Sequence, residues 1–305
     1  MKLIKFLMLG LLLVASATFS ASLTSKEVTI VVPFLPGGAS DIVARKTAVI
    51  LTERFPGTSF IVKNMPGASN MVAISYVLNE KDADNIFIIS NDDLITGPMS
   101  QNSTSYNEFI VTNIIGQSPY MLAMSTRRDA NAFRAITKNK GTVMFGSVGA
   151  GSGPATWLSS LRGPVNEWIN VPYKGAPAII TDVMGGNLNY VILSSFNMYD
   201  YIQDGVVVPI MISGNTRLGK YASVPTFKEM GFKGHSDNIY FAVYAKKDIS
   251  PAVAEEINRA ISDAQKNGKY QDFEDKSLVI TPFDLKQSNQ FFQSAIKQKQ
   301  QSYSK

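Results

Sequence analysis

The chain of 305 residues contains no cysteine, a single histidine and two tryptophans. Without cysteine there is no disulfide, no thiolate nucleophile, no sulfur-based zinc site, and no lipid-anchor cysteine behind the N-terminal segment. His235 sits in the polar stretch Gly234-His235-Ser236-Asp237, which reads as surface, and neither Ser147 nor Ser152 lies in a Gly-x-Ser-x-Gly elbow. A hydrolase would have to take its base from that one histidine, so catalysis is not expected. Metal binding is left with carboxylates such as Asp92-Asp93, which read as a helix cap; no metal and no cofactor are expected. Concentrated charge is missing too. The net charge is +5 and its densest basic cluster is Arg127-Arg128, which disfavours nucleic acid and suits a small anion.

Only the N-terminus carries a long apolar run. Met1 to Lys5 is a short basic start, Phe6 to Val14 is almost wholly apolar, and Ala15-Ser16-Ala17 offers small residues for cleavage. The run is about half of a membrane span, so residues 1–21 read as a secretory signal peptide and the mature protein as periplasmic.

What is abundant is glycine at strand ends. Thr29 to Pro33 is β-rich, passes through Leu35-Pro36-Gly37-Gly38-Ala39-Ser40 and enters a helical pattern from about Asp41. Val143-Met144-Phe145 similarly gives way to Gly146 through Gly153 and a helix from Pro154. Each turn aims unpaired backbone N–H groups one way with a helix dipole behind them, the making of an anion site. The second loop is not a dinucleotide fingerprint, since its glycines are not spaced Gly-x-Gly-x-x-Gly. Gly214 to Tyr221 nearly matches a phosphate loop but has Tyr221 where a magnesium-binding hydroxyl belongs.

Strands over 28–34, 60–63, 86–89, 143–145, 168–171, 190–193, 207–212 and 239–245 alternate with helices, the longest over 250 onward and 285–303. This predicts parallel α/β sheets with ligands beyond the carboxyl ends of the strands. At this length two α/β lobes around a ligand cleft are expected: residues 26–122 with 241–305, and residues 123–240. The crossings between them are expected at Tyr120 to Ser125 and Ile239 to Ala245.

Five ordered motifs carry a resemblance. They are Val32 to Asp41, Met65-Pro66-Gly67-Ala68, Gly146-Ser147 with Gly149, Gly151 and Ser152, Val171 to Gly175, and Arg217 followed by Val224-Pro225-Thr226, Glu229 and Gly231. With them the chain resembles the substrate-binding receptors of tripartite tricarboxylate transporters, the Bug family, over nearly its whole mature length. The second loop of that family usually holds a histidine where Ala155 stands. The resemblance implies a periplasmic binding protein that closes on a small carboxylate and hands it to the transporter's membrane components. A receptor reporting to a membrane sensor is the alternative, and a monomer is expected.

One ligand carboxylate is expected at the N–H groups of Gly38, Ala39 and Ser40, with Ser147, Gly151 and Ser152 contributing from the other lobe. Phe34 and Tyr173 precede glycine turns where the family places aromatics against the ligand, and are taken as cleft walls. Asp41 stands at the helix start as a cap; pointed into the cleft, it would favour a ligand with an ammonium group. A dipole contact supplies at most about 2 kcal/mol whereas micromolar binding needs about 8, so binding should require both loops.

Overall fold

The computed structural model describes residues 23, 25–129, 131–233 and 238–303, so the expected signal segment and His235 lie outside the described residues. In chain order the elements are β1 (Glu27–Val32), α1 (Ala39–Arg54), β2 (Ser59–Asn64), α2 (Met71–Leu78), β3 (Ile86–Asn91), α3 (Asp93–Ser100) and β4 (Phe109–Ser125). There follow α4 (Ala132–Lys138), β5 (Thr142–Val148), α5 (Gly153–Ser160), β6 (Glu167–Tyr173), α6 (Ala176–Gly185), β7 (Tyr190–Ser194), α7 (Ser195–Gln203) and β8 (Val207–Ile212). The chain closes with β9 (Asn238–Lys246), α8 (Pro251–Lys266), α9 (Gln271–Glu274) and α10 (Leu285–Tyr303).

β1 is rich in valine and isoleucine because it is covered on both faces: Val28, Ile30, Val31 and Val32 are all buried. It pairs in parallel with β2 and β3, Val31 lying opposite Lys63 on one side and Ile88 on the other. α1 returns over the sheet with Val43, Ala44, Thr47, Ala48 and Leu51 buried at helical spacing. α8 begins as its sequence predicts, with the Ser250 hydroxyl accepting the Val253 N–H and Pro251 at the first helical position.

The strands form one nine-stranded sheet in the order β2-β1-β3-β9-β4-β7-β5-β6, with β8 also on β4. β4 joins its two halves. Phe109 to Pro119 pairs antiparallel with β9, and from Tyr120 onward the same strand pairs with β7 and β8. The stretches expected as crossings are therefore sheet strands themselves. Tyr120 to Met124 is the part of β4 on β7, and Ile239 to Ala245 is the body of β9. The change of partner falls between Pro119 and Tyr120, fixed by paired bonds of Tyr120 N–H to Ser213 Oγ (2.9 Å) and Ser213 N–H to Tyr120 O (2.8 Å). Among the described residues no helix is long and apolar enough to cross a membrane.

Candidate functional site

The carboxyl ends of β1, β3, β5, β6 and β7 meet at a cleft between the two halves of the sheet, and a helix starts from each of them. Five helix starts line a cavity: Gly38 to Ser40 of α1, Asn91 and Asp93 at α3, Ser152 and Pro154 at α5, Gly175 and Ala176 at α6, and Ser194 and Asn197 at α7. Phe34, Tyr120, Ile192, Ile239 and Phe241 supply its apolar walls. A second cavity continues from it, sharing Phe34, Asp93, Val148 and Ser152, and is edged by Gly67 to Asn70, Gly149 to Gly151, Tyr173 and Lys174. The first turn of every helix presents N–H groups with no partner inside the helix, so the cavity is lined by backbone donors. Among the described residues Asp93 and Lys174 are the only charged side chains in the lining, and none there is arginine.

The loops of the two halves touch at both mouths of the cleft. The Leu35 N–H donates to the Lys174 carbonyl at 3.2 Å, and a Cβ on Gly175 would lie only 3.0 Å from the Leu35 Cβ. At the other mouth Gly151 packs against α3, where a Cβ would collide with the Ser100 side chain. Gly97 lies beneath, so close to the Ser69 carbonyl that no side chain fits. Ala68, Ser69 and Asn70 all take left-handed backbone conformations there, with φ of 46°, 48° and 74°. Such strain on residues with side chains persists only where the surroundings enforce it.

Of the residues singled out by sequence, Phe34, Gly38, Ala39, Ser40, Gly151, Ser152 and Tyr173 line the two cavities. Asp41 and Ser147 do not. Asp41 is buried in the first turn of α1, where its carboxylate accepts the Gly37 N–H (2.9 Å), a two-pronged contact from Arg45 (2.9 and 3.0 Å) and the Asn64 amide (2.9 Å). Asn64 in turn holds the Phe34 carbonyl at 3.0 Å, so Asp41 braces the loop from behind. Burial acts to raise the Asp41 pKa, but Arg45, Gly37 and Asn64 together hold it below the usual value. The cap position of α1 is Gly38, which has no side chain to cap with.

Ser147 donates to Asn170 Oδ1 at 2.6 Å, and Ser152 donates to Ser147 at 3.1 Å while capping α5 through the Ala155 N–H. The Tyr173 hydroxyl donates to Asp182 at 2.6 Å, and burial followed by that carboxylate pushes its pKa up to about 12. The phenol is therefore a fixed wall and not a titrating group.

Sequence reasoning missed Asp93. Its Oδ1 accepts the Gly153 N–H at 3.0 Å, linking α3 to the start of α5, and its own N–H is held by Asn91 Oδ1 at 2.9 Å. The neighbouring Asp92 is fully buried, with Lys299 of α10 at 2.7 Å and the Tyr120 hydroxyl at 3.0 Å. Burial and the Asp92 charge push the Asp93 pKa up to about 7, against the Gly153 N–H that lowers it. An acidic pair directly after a strand was a signal available in the sequence, because that end of a parallel strand is the ligand end. The helix starts of α6 and α7 were also missed as contributors. Among the described residues no group of three or more histidines or carboxylates could hold a metal ion.

A family profile described as "Tripartite tricarboxylate transporter family receptor" matches residues 43–303. An Agrobacterium vitis relative, the UPF0065 protein of the TAR-I ttuE-ttuC' intergenic region, is 26% identical over 254 residues, covering 81% of this chain and 73% of its own. Among solved structures, R. palustris Rpa4515 with adipate superposes with a TM-score of 0.82 at 21% identity, covering 91% of this chain and 96% of that one. The periplasmic binding protein BugD gives a TM-score of 0.78 at 19% identity, covering 91% and 95%. The fold is thus that of a periplasmic binding protein, and with a profile match spanning most of its length the chain belongs to the tripartite tricarboxylate transporter receptor family.

Proposed function

We propose that this protein captures a small carboxylate between two lobes in the periplasm and presents it to the membrane components of a tripartite transporter, without chemical conversion. The observation that carries the reading is the convergence of five helix starts on one cavity whose lining has no arginine. An anion there is held by backbone N–H groups and hydroxyls, with closure excluding water and strengthening each charge-assisted bond. Gly38, Ala39 and Ser40 take one carboxylate, Phe34 and Tyr173 wall the cleft, and Gly151 and Ser152 close it from the other lobe. Asp41 and Ser147 act through the loops they brace.

The lobes are residues 26–122 with 241–305 and residues 123–240, moving about the partner change in β4. Residues 1–21 direct export and are removed, and the mature protein acts as a monomer. The adipate bound to Rpa4515 supports the ligand class, and the family supports both location and partner.

A melting-temperature screen over carboxylic acids tests the reading, since a ligand that binds only the folded state raises the transition in a saturable way. At least one acid should do so. A cleft that binds none, or a bound compound recovered chemically altered, would overturn it.

A further inference from the structure

The carboxylate reading leaves one charge in the cleft unexplained. Asp92, Asp93 and Lys299 are buried together, with Lys299 ion-paired to Asp92 at 2.7 Å. Asp93 is 4% exposed and lines both cavities, and the Lys299 charge that reaches it is the same one that pairs with Asp92, so that one ammonium is set against two carboxylates. Its Oδ1 receives the Gly153 N–H and the Thr96 hydroxyl, whereas Oδ2 receives neither. A buried carboxylate that shares its counter-ion with a second carboxylate either keeps its proton or waits for a further cation. A second acceptor lies in the same cavity wall: Asn197, 7% exposed, has its Oδ1 buried with no hydrogen-bond partner.

We propose that Asp93 selects the ligand by accepting an ammonium group, so that the substrate class is a zwitterionic amino acid with its carboxylate at the start of α1 and its ammonium at Asp93. This rests on the carboxylate reading above and narrows it. A ligand ammonium has three donors and one positive charge, matching the carboxylate of Asp93 and the unpaired oxygen of Asn197. It also neutralises the excess negative charge of the Asp92, Asp93 and Lys299 cluster. A second ligand carboxylate placed at the same wall would meet a like charge unless a proton were trapped between the two. The role that the sequence allowed for Asp41 thus falls to a residue on a different helix.

Matched ligands test this directly. Each common L-amino acid is measured by calorimetry beside the acids of the same skeleton that carry hydroxyl or hydrogen in place of nitrogen. In the series that binds, the ammonium member should bind at least tenfold more tightly than either counterpart, the size expected of one charge-assisted hydrogen bond. Asp93→Asn keeps the side-chain shape and an acceptor for Gly153, and should erase that preference. The wild-type comparison stands even if the variant fails to fold. Equal or tighter binding of a nitrogen-free member to the wild type would overturn the proposal and leave carboxylate capture intact. Absence of binding in every series would overturn both.

Discussion

Asp93 Oδ1 and the Gly153 N–H lie 3.0 Å apart, so the first residue of α3 in one half of the sheet is bonded to the first residue of α5 in the other. The groups facing that carboxyl are Asp92 beside it, Lys299 of α10, and the tyrosines Tyr240 and Tyr244 of β9. The Asp93 pKa stands at about 7 in the folded protein against 3.8 ordinarily, so the folded state prefers its protonated form.

The sign follows from that order. No cost is present below the unfolded pKa; destabilisation grows as pH rises and is complete above about 7, reaching at most about 4 kcal/mol. Asp93→Asn never ionises. It should melt above the wild type at pH 8, with the gap shrinking toward pH 4. Thermal melts of both proteins across that range decide, and a constant gap would show that Asp93 does not titrate in the window.

Gly38→Asp should abolish ligand binding and leave folding intact. Gly38 has φ of −81° and a Cβ there would find nothing nearer than the Leu35 carbonyl at 3.8 Å, so the side chain fits. Its charge would occupy the place of the ligand carboxylate. Unchanged affinity in a folded variant would mean that the first loop is only a turn.

Gly97→Ala should destabilise the protein by about 1–3 kcal/mol, the range for overpacking, and weaken binding as well. The added Cβ collides with the Ser69 carbonyl, and the strained Ala68 to Asn70 segment must shift out of the second cavity. Chemical denaturation and calorimetry measure the two effects. A neutral result would show that this loop yields without consequence.

Asp41→Ala should cost about 1–3 kcal/mol, because the Gly37 N–H and the Asn64 amide lose a buried acceptor. The wild-type contribution of Asp41 is present above the ordinary carboxylate pKa and fades as pH falls through its lowered folded value. The difference between the two proteins in denaturant midpoint should therefore be smaller in strong acid than at pH 7.

The local elements were legible wherever one period ran uninterrupted. Val28 to Val32, Ile86 to Ile89 and the faces of α1 and α8 are such runs, and their strands and helices form as expected. β4 was not legible as one strand. Gly116, Gln117, Ser118 and Pro119 interrupt its apolar run, yet a 17-residue strand passes straight through them. Gly116 is there because Leu278 presses on it, with side-chain atoms at 2.7 and 2.9 Å from where a Cβ would stand. In the site, the glycine loops were visible because their signal is local. Asp92 occupies the cap position that the sequence suggested, but its carboxylate answers to Lys299 far along the chain, and no local pattern announces such a pairing.

A strand common to both halves also limits how they can move. Side chains on β4 alternate between faces and both faces are packed, so a slip of one residue against either neighbour would exchange one packed set for the other. A single continuous backbone passes from one hydrogen-bonded ladder to the other at Pro119 and Tyr120. On the closure proposed above, a twist of that one backbone would carry the two ligand loops toward each other together.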